Sequence, residues 1–210
     1  MLTIATMTPA KAGSYYKENY YAEEEQVEFS QWWGKGATAL GLSGKISDGK
    51  IFQNILQGKT ADGQTQLRQA PPKGKEAIAG TDLTFSAPKS VSIAALVNQD
   101  QDLIEAHNQA VERVLSLIEE RYGETRVNKQ HTPVKNICVA KFLHDTNREL
   151  NPNLHTHCLV MNMAQDASGI WRSAANRLLY QHRILLGKLY RNELAQAVQN
   201  LGYEIEIRAD

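Results

Sequence analysis

The sequence is short of several things, and each shortage argues against a class of protein. Its 210 residues hold two cysteines, Cys138 and Cys158, and no C-x-x-C pair. That argues against a disulfide-stapled secreted fold or a cysteine-ligated zinc module, and both thiols read as small buried residues of a reduced, intracellular protein. No run of about 18 apolar residues occurs, so no membrane span is expected. The opening "MLTIATMTPAK" lacks a charged segment followed by an apolar one, so no secretory leader is expected either. Neither sign of charge is in excess, 23 basic residues facing 23 acidic ones. A protein that coats nucleic acid by bulk charge would not be neutral, so a polyanion would need a local patch.

One stretch could supply such a patch. Residues 31–90 carry Lys35, Lys45, Lys50, Lys59, Arg68, Lys73, Lys75 and Lys89 against four acids, downstream of an acidic "EEEQVE". A solvated surface would have the same composition. The length suits one domain with a substantial core.

Periodicity supplies the elements. "LTIATM" alternates as a strand, and Thr8–Pro9 opens a helix. Residues 31–80 read as loops around one short helix near "KIFQNILQG". "TDLTFSA" reads as a strand that Pro88 breaks. Apolar residues at helical spacing predict a helix over 102–121, with Gly123 at its C-cap. "NICVAKFLH" and "LHTHCLVMNM" are two strong strands that could pair antiparallel, with "SGIWRSA" as a third. A long amphipathic helix over 177–201 is closed by Gly202, and "YEIEI" alternates as a last strand. The expected class is α+β, an antiparallel or mixed sheet with helices packed on it.

Two constellations carry chemistry. In "NPNLHTHCLVMN" a strand would point His155 and His157 to the same face. His144 ends the preceding strand, so a hairpin could bring three imidazoles together. Three neutral nitrogen ligands leave a divalent cation's charge available as a Lewis acid. An ordinary polar face remains open from these residues alone. His107, His131 and His182 read as structural or surface residues.

The second constellation, "SYYKENYY", packs Tyr15, Tyr16, Tyr20 and Tyr21 into seven residues, half of the eight tyrosines. Adjacent aromatics on a helix cannot both face one core. Beside a metal site they suggest nucleophiles, although a core stripe would use the same residues.

Taken together, "SYY…YY", "DLTFSAPKSVS" and "HDTNRELNPNLHTHCLVMNM" resemble the MobF class of conjugative relaxases (the TrwC and F-plasmid TraI type) of the HUH endonuclease superfamily. "WWGKGATALGLSGKI" and "LYRNELAQAVQNLGYEIEI" extend the resemblance over nearly the whole chain. It implies a Rep-like, ferredoxin-like palm over residues 1–210, one relaxase domain that a DNA-closing segment and a helicase domain follow in longer members. It implies site- and strand-specific nicking of DNA at an origin of transfer, through a 5′-phosphotyrosyl intermediate. Tyr15 matches the nucleophile and Tyr20 the tyrosine of a second strand transfer, with Tyr16 and Tyr21 in support. His144, His155 and His157 match the ligands of a divalent metal, Mg or Mn foremost, with Zn, Ni and Co open by imidazole chemistry. Asp82 matches the acid that orients a ligand histidine and takes the nucleophile's proton. Arg148 and Lys89 match phosphate contacts, and Trp32 and Trp33 could stack on bases, although at least one of them reads as a buried core residue. Partners implied are single-stranded origin DNA, relaxosome accessory proteins and type IV coupling proteins, in the bacterial cytoplasm. The spacer "KEN" between the doublets is shorter than is usual in this class. The rival readings are a three-histidine hydrolase or cupin-type oxygenase, and a DNA-binding remnant without activity.

Overall fold

Two alternating strands, paired directly, form the centre of the molecule. The computed structural model describes residues 1–13, 30–69, 71, 73–74, 76–147 and 149–206. Its strands are β1 (Leu2–Met7), β2 (Ser30–Trp33), β3 (Gly80–Ser86), β4 (Glu124–Val127), β5 (Gln130–Pro133), β6 (Val139–Thr146), β7 (Pro152–Met161), β8 (Ala164–Gln165) and β9 (Trp171–Arg172). The helices are α1 (Lys35–Ala39), α2 (Gly49–Leu56), α3 (Lys89–Leu96), α4 (Gln101–Arg121), α5 (Arg177–Gln181) and α6 (Arg183–Asn200). Five strands form one antiparallel sheet in the order β1-β3-β7-β6-β2. With helices packed against it, the molecule is α+β.

The period-two rule sorts each strand into two faces. On β7, Leu154, Cys158 and Val160 join Leu83, Phe85 and Val139 in a core under α4 and α6. Leu159 and Met161 point the other way, into a second core with Trp32, Ala140, Phe52 and Ile55. The sheet is therefore buried on both sides, and residues 30–79 cover its second face.

Local chemistry explains the helices. In α4, Leu103, Ala106, Ala110, Val111, Val114, Leu115 and Ile118 bury one stripe, and the Asp100 carboxylate accepts from Asp102 N and Leu103 N at the first turn. The Asp48 carboxylate does the same for α2, accepting from Lys50 N at 2.7 Å and Ile51 N at 3.2 Å. The Phe52 ring, 1 % exposed, meets Phe142 edge-on at 5.7 Å and Trp32 at 6.1 Å. Phe52→Ala is expected to cost about 3–5 kcal/mol, the range for emptying a buried aromatic site. The thermal midpoint should fall on the order of 10 °C, which differential scanning calorimetry would measure.

Several expectations are corrected. Residues 31–80 hold β2 and α1 besides the short helix. Trp32 is buried in the second core and Trp33 packs on the first, so the tryptophans serve the cores. "SGIWRSA" contributes only the two-residue β9, paired with β8 outside the main sheet. The helix over 177–201 is two helices that meet at His182, and 203–206 forms no strand. Gly202 does take the left-handed conformation of a helix end, φ +90°, but Gly123 does not. Gly123 is needed for close approach, because a Cβ there would lie 2.6 Å from the Val134 carbonyl oxygen. Among the described residues no helix is long and apolar enough to cross a membrane.

Candidate functional site

The antiparallel register of β6 and β7 sets His144 directly opposite His155. His157, two residues on, shares the face with both, on the side of the sheet away from α4 and α6. A register shift between His144 and Thr146 bends the hairpin just beyond. There the Asn147 side chain accepts from Glu149 N and Asn151 N, at 3.0 and 2.9 Å, and ties the connecting turn.

The three ring centroids form a near-equilateral triangle: 5.1 Å for His144–His155, 5.3 Å for His144–His157 and 5.1 Å for His155–His157. Imidazoles sharing one ion at about 2.1 Å per nitrogen, at tetrahedral angles, would place their centroids about 5 Å apart. The rings are gathered but not closed. Among the described residues, no trio of His, Cys, Asp or Glu side chains surrounds a point that an ion could fill without further movement. Rotation about the Cβ–Cγ bonds moves the nitrogens while the strands stay in place.

Hydrogen bonds aim two of the rings. His157 Nδ1 donates to Asp82 Oδ2 at 2.8 Å, and His155 Nδ1 donates to the Asn153 carbonyl at 2.7 Å. Each bond puts the proton on Nδ1 and leaves the Nε2 lone pair as the donor for a ligand. Thr84 Oγ1 lies 3.2 Å from Asp82 Oδ2 and 3.1 Å from His157 Nδ1, completing the support. Burial, then the neighbouring His157 and His155, pushes the His144 pKa down to about 3. Burial also lowers that of His155, against the opposing bond to Asn153. Both rings are thus neutral at physiological pH, the state a metal requires. Asp82 is buried, and its Oδ1 has no hydrogen-bond partner among the described residues. Three imidazoles with a carboxylate behind one of them are a donor set that fits a divalent ion.

Of the other candidates, Lys89 opens α3 and donates to the Pro152 carbonyl at 2.8 Å, at the start of β7. Tyr15, Tyr16, Tyr20, Tyr21 and Arg148 lie outside the described residues.

A cleft of about 930 Å³ opens at the other end of the sheet, beyond the last residues of β1 and β7. It is lined by Arg68, Arg126, Arg172, Arg177, Trp171 and Tyr180 among others. At about 3.4 Å per residue, Asn162 at its rim stands roughly 17 Å along the chain from His157. Arg172 Nε donates to Asp166 at 2.6 Å, and Arg177 donates to both Glu124 oxygens at 3.2 and 3.3 Å. Arg68 is buried, donates to the Leu56 carbonyl at 3.3 Å, and has a partnerless Nε among the described residues. Of the described members of the 31–90 basic run only Arg68 lines this cleft. The other arginines are scattered through 126–177, where no local charge run announces them.

His107, assigned a structural role from its spacing, is fully buried between α6 and β7. Burial above all lowers its pKa from 6.5 to about 3. The unfolded chain takes up this proton below about pH 6.5 while the folded chain refuses it. The unfolded state therefore binds more protons between the two values, and stability falls as pH drops through that window. Each unit of depression is worth about 1.4 kcal/mol. The melting temperature should fall from pH 7 to pH 4.5, less steeply in His107→Gln; parallel slopes would contradict it.

Comparison with known proteins agrees with this fold. The sequence profile of the TrwC relaxase family matches residues 9–210. The multifunctional conjugation protein TraI of Escherichia coli K12 is 38% identical over 223 aligned positions, covering 99% of this chain and 12% of TraI. The chain thus spans about an eighth of that relative's length. The conjugative relaxase TrwC, solved metal-free with oriT DNA, superposes with a TM-score of 0.88 at 37% identity, over 100% of this chain and 73% of that one. A metal-bound TrwC–oriT structure gives 0.86 at 38% identity, over 98% and 72%. By profile, identity and fold, the chain belongs to the TrwC relaxase family.

Proposed function

We propose that this chain nicks one DNA strand at an origin of transfer, using a divalent metal, and carries the new 5′ end on a tyrosine. The observation that carries the reading is the triangle of three imidazoles on one hairpin, backed by a buried carboxylate bonded to one of them. His144, His155 and His157 would hold the cation, Mg or Mn foremost; that a relative has been solved metal-bound supports a metal without naming which. When bound, the ion supplies Lewis-acid neutralisation of a non-bridging phosphate oxygen.

The remaining steps belong to the chain's own side chains. The Tyr15 oxygen attacks phosphorus, the P–O3′ bond breaks, and the 3′ oxygen leaves and takes a proton from water to become a hydroxyl. A phenol with a pKa of about 10 needs a base, and Asp82 Oδ1, without a partner among the described residues, can take the proton. One phosphoester replaces another, so the step reverses without ATP. Tyr20 serves the second transfer, with Tyr16 and Tyr21 in support. Arg148 and Lys89 meet phosphates. The arginine-lined cleft, with Trp171 and Tyr180, offers charge and aromatic faces to the origin DNA. The setting is the bacterial cytoplasm, with relaxosome accessory and type IV coupling proteins as partners.

The test uses a 3′-labelled origin-of-transfer oligonucleotide with Mn²⁺ or Mg²⁺ on a denaturing gel. A band shifted by the mass of the protein, absent with a chelator, is expected. Cleaved DNA without that band would favour the hydrolase reading and overturn this one. Binding without cleavage would mark a DNA-binding remnant.

A further inference from the structure

Thr156 stands between His155 and His157 and, by strand alternation, points to the opposite face. There it meets a polar group embedded in the apolar core. Thr156 Oγ1 lies 2.8 Å from His107 Nε2 on α4, and His107 Nδ1 lies 2.7 Å from the Tyr190 hydroxyl on α6. All three are buried: Tyr190 and His107 are 0 % exposed, and Thr156 is 1 % exposed. A neutral imidazole has one donor and one acceptor nitrogen, so the trio is satisfied with the protons running in either direction. The two rings also meet edge-on, with centroids 5.7 Å apart.

Resting on the reading of the histidine cluster as a metal site, we infer that His107 and Tyr190 are positioning residues for that site. They act through Thr156, which sets the roll of β7 about its own axis and so the aim of the two ligand rings behind it. Apolar side chains would fill this space, but apolar packing is non-directional, whereas a hydrogen bond fixes an angle. The angle matters at the site. A roll of β7 by about 10° moves a nitrogen some 6 Å from the strand axis by about 1 Å, beyond the ~0.5 Å tolerance of a functional constellation. The chain thus grips β7 from two helices on one face while its histidines work on the other.

Cobalt titration of the whole chain, followed by visible absorption, tests this without reading catalysis. Thr156→Val and Tyr190→Phe keep shape and remove one hydroxyl each. Both are expected to weaken Co²⁺ binding by about 10–100-fold, the range for losing support behind a metal ligand. Thr156→Ser, which keeps the hydroxyl, should stay within about threefold of the parent on the same scale. Val111→Ala empties part of the same core and substitutes none of the three trio residues; it should lower the melting temperature and leave cobalt affinity unchanged. Should Thr156→Val fail to fold, Tyr190→Phe carries the comparison. Parent-like affinity in the two hydroxyl deletions, or an equal loss in Val111→Ala, would overturn the inference. A parent chain that binds no cobalt would overturn the metal reading beneath it, a distinguishable failure.

Discussion

Tyr15→Phe is expected to abolish the covalent protein–DNA band while leaving origin binding and metal binding intact. The substitution removes one oxygen, the atom that would form the bond to phosphorus. Displacement at phosphorus needs the attacking and leaving oxygens roughly in line, so another hydroxyl could serve only from that same position. Removing a nucleophile from a preorganised site commonly costs several orders of magnitude. A loss of at least about a thousandfold in adduct formation is the expectation here. Tyr20→Phe should leave the first adduct at near-parent levels and reduce strand transfer to a second oligonucleotide. A quench-and-gel time course with both variants measures this. An undiminished adduct in Tyr15→Phe would move the nucleophile to another tyrosine.

The second large effect is expected at His157. Its bond to Asp82 places the proton on Nδ1 and makes Nε2 the nitrogen that would ligate, and the three centroids lie within 5.3 Å of one another. His157→Ala removes one of three donors and also leaves the buried Asp82 carboxylate without its partner imidazole. Metal affinity should drop by more than about 100-fold, beyond the loss expected for an outer partner alone. Asp82→Asn, which keeps the shape and removes the charge, should fall within that outer range of about 10–100-fold. Isothermal titration with Mn²⁺ orders the variants, and adduct formation should return in part at millimolar metal in Asp82→Asn. Equal affinities in parent and His157→Ala would remove the histidine cluster from the account.

The hairpin was legible because its signal is local. The alternation in "NICVAKFLH" and "LHTHCLVMNM" allowed the pairing and gave the shared face of His155 and His157, and His144 arrives by register. Asp82 could be named only through the family resemblance, since nothing near it in sequence marks its approach to a residue 75 positions away. The β4–β5 ribbon was missed because its turn uses Asn128 and Lys129, at φ 50° and 67°, in place of the glycine that advertises such a turn. The four-residue β2 is too short for its alternation to stand out. "YEIEI" alternates like a strand, but 203–206 stays irregular. The partners of His107 come from two other elements, Tyr190 on α6 and Thr156 on β7, far from it in sequence, so its spacing alone could not announce them. The arginines of the cleft gather by folding alone.

Mass spectrometry of the trapped adduct tests the central claim most directly. Digestion with trypsin after Lys11 and Lys17 isolates residues 12–17, which hold Tyr15 and Tyr16, from residues 18–35, which hold Tyr20 and Tyr21. The account expects a 5′-phosphodeoxynucleotide on the first peptide, placed on Tyr15 by fragmentation. A modification found only on the second peptide, or free cleaved DNA with every tyrosine unmodified, would contradict it.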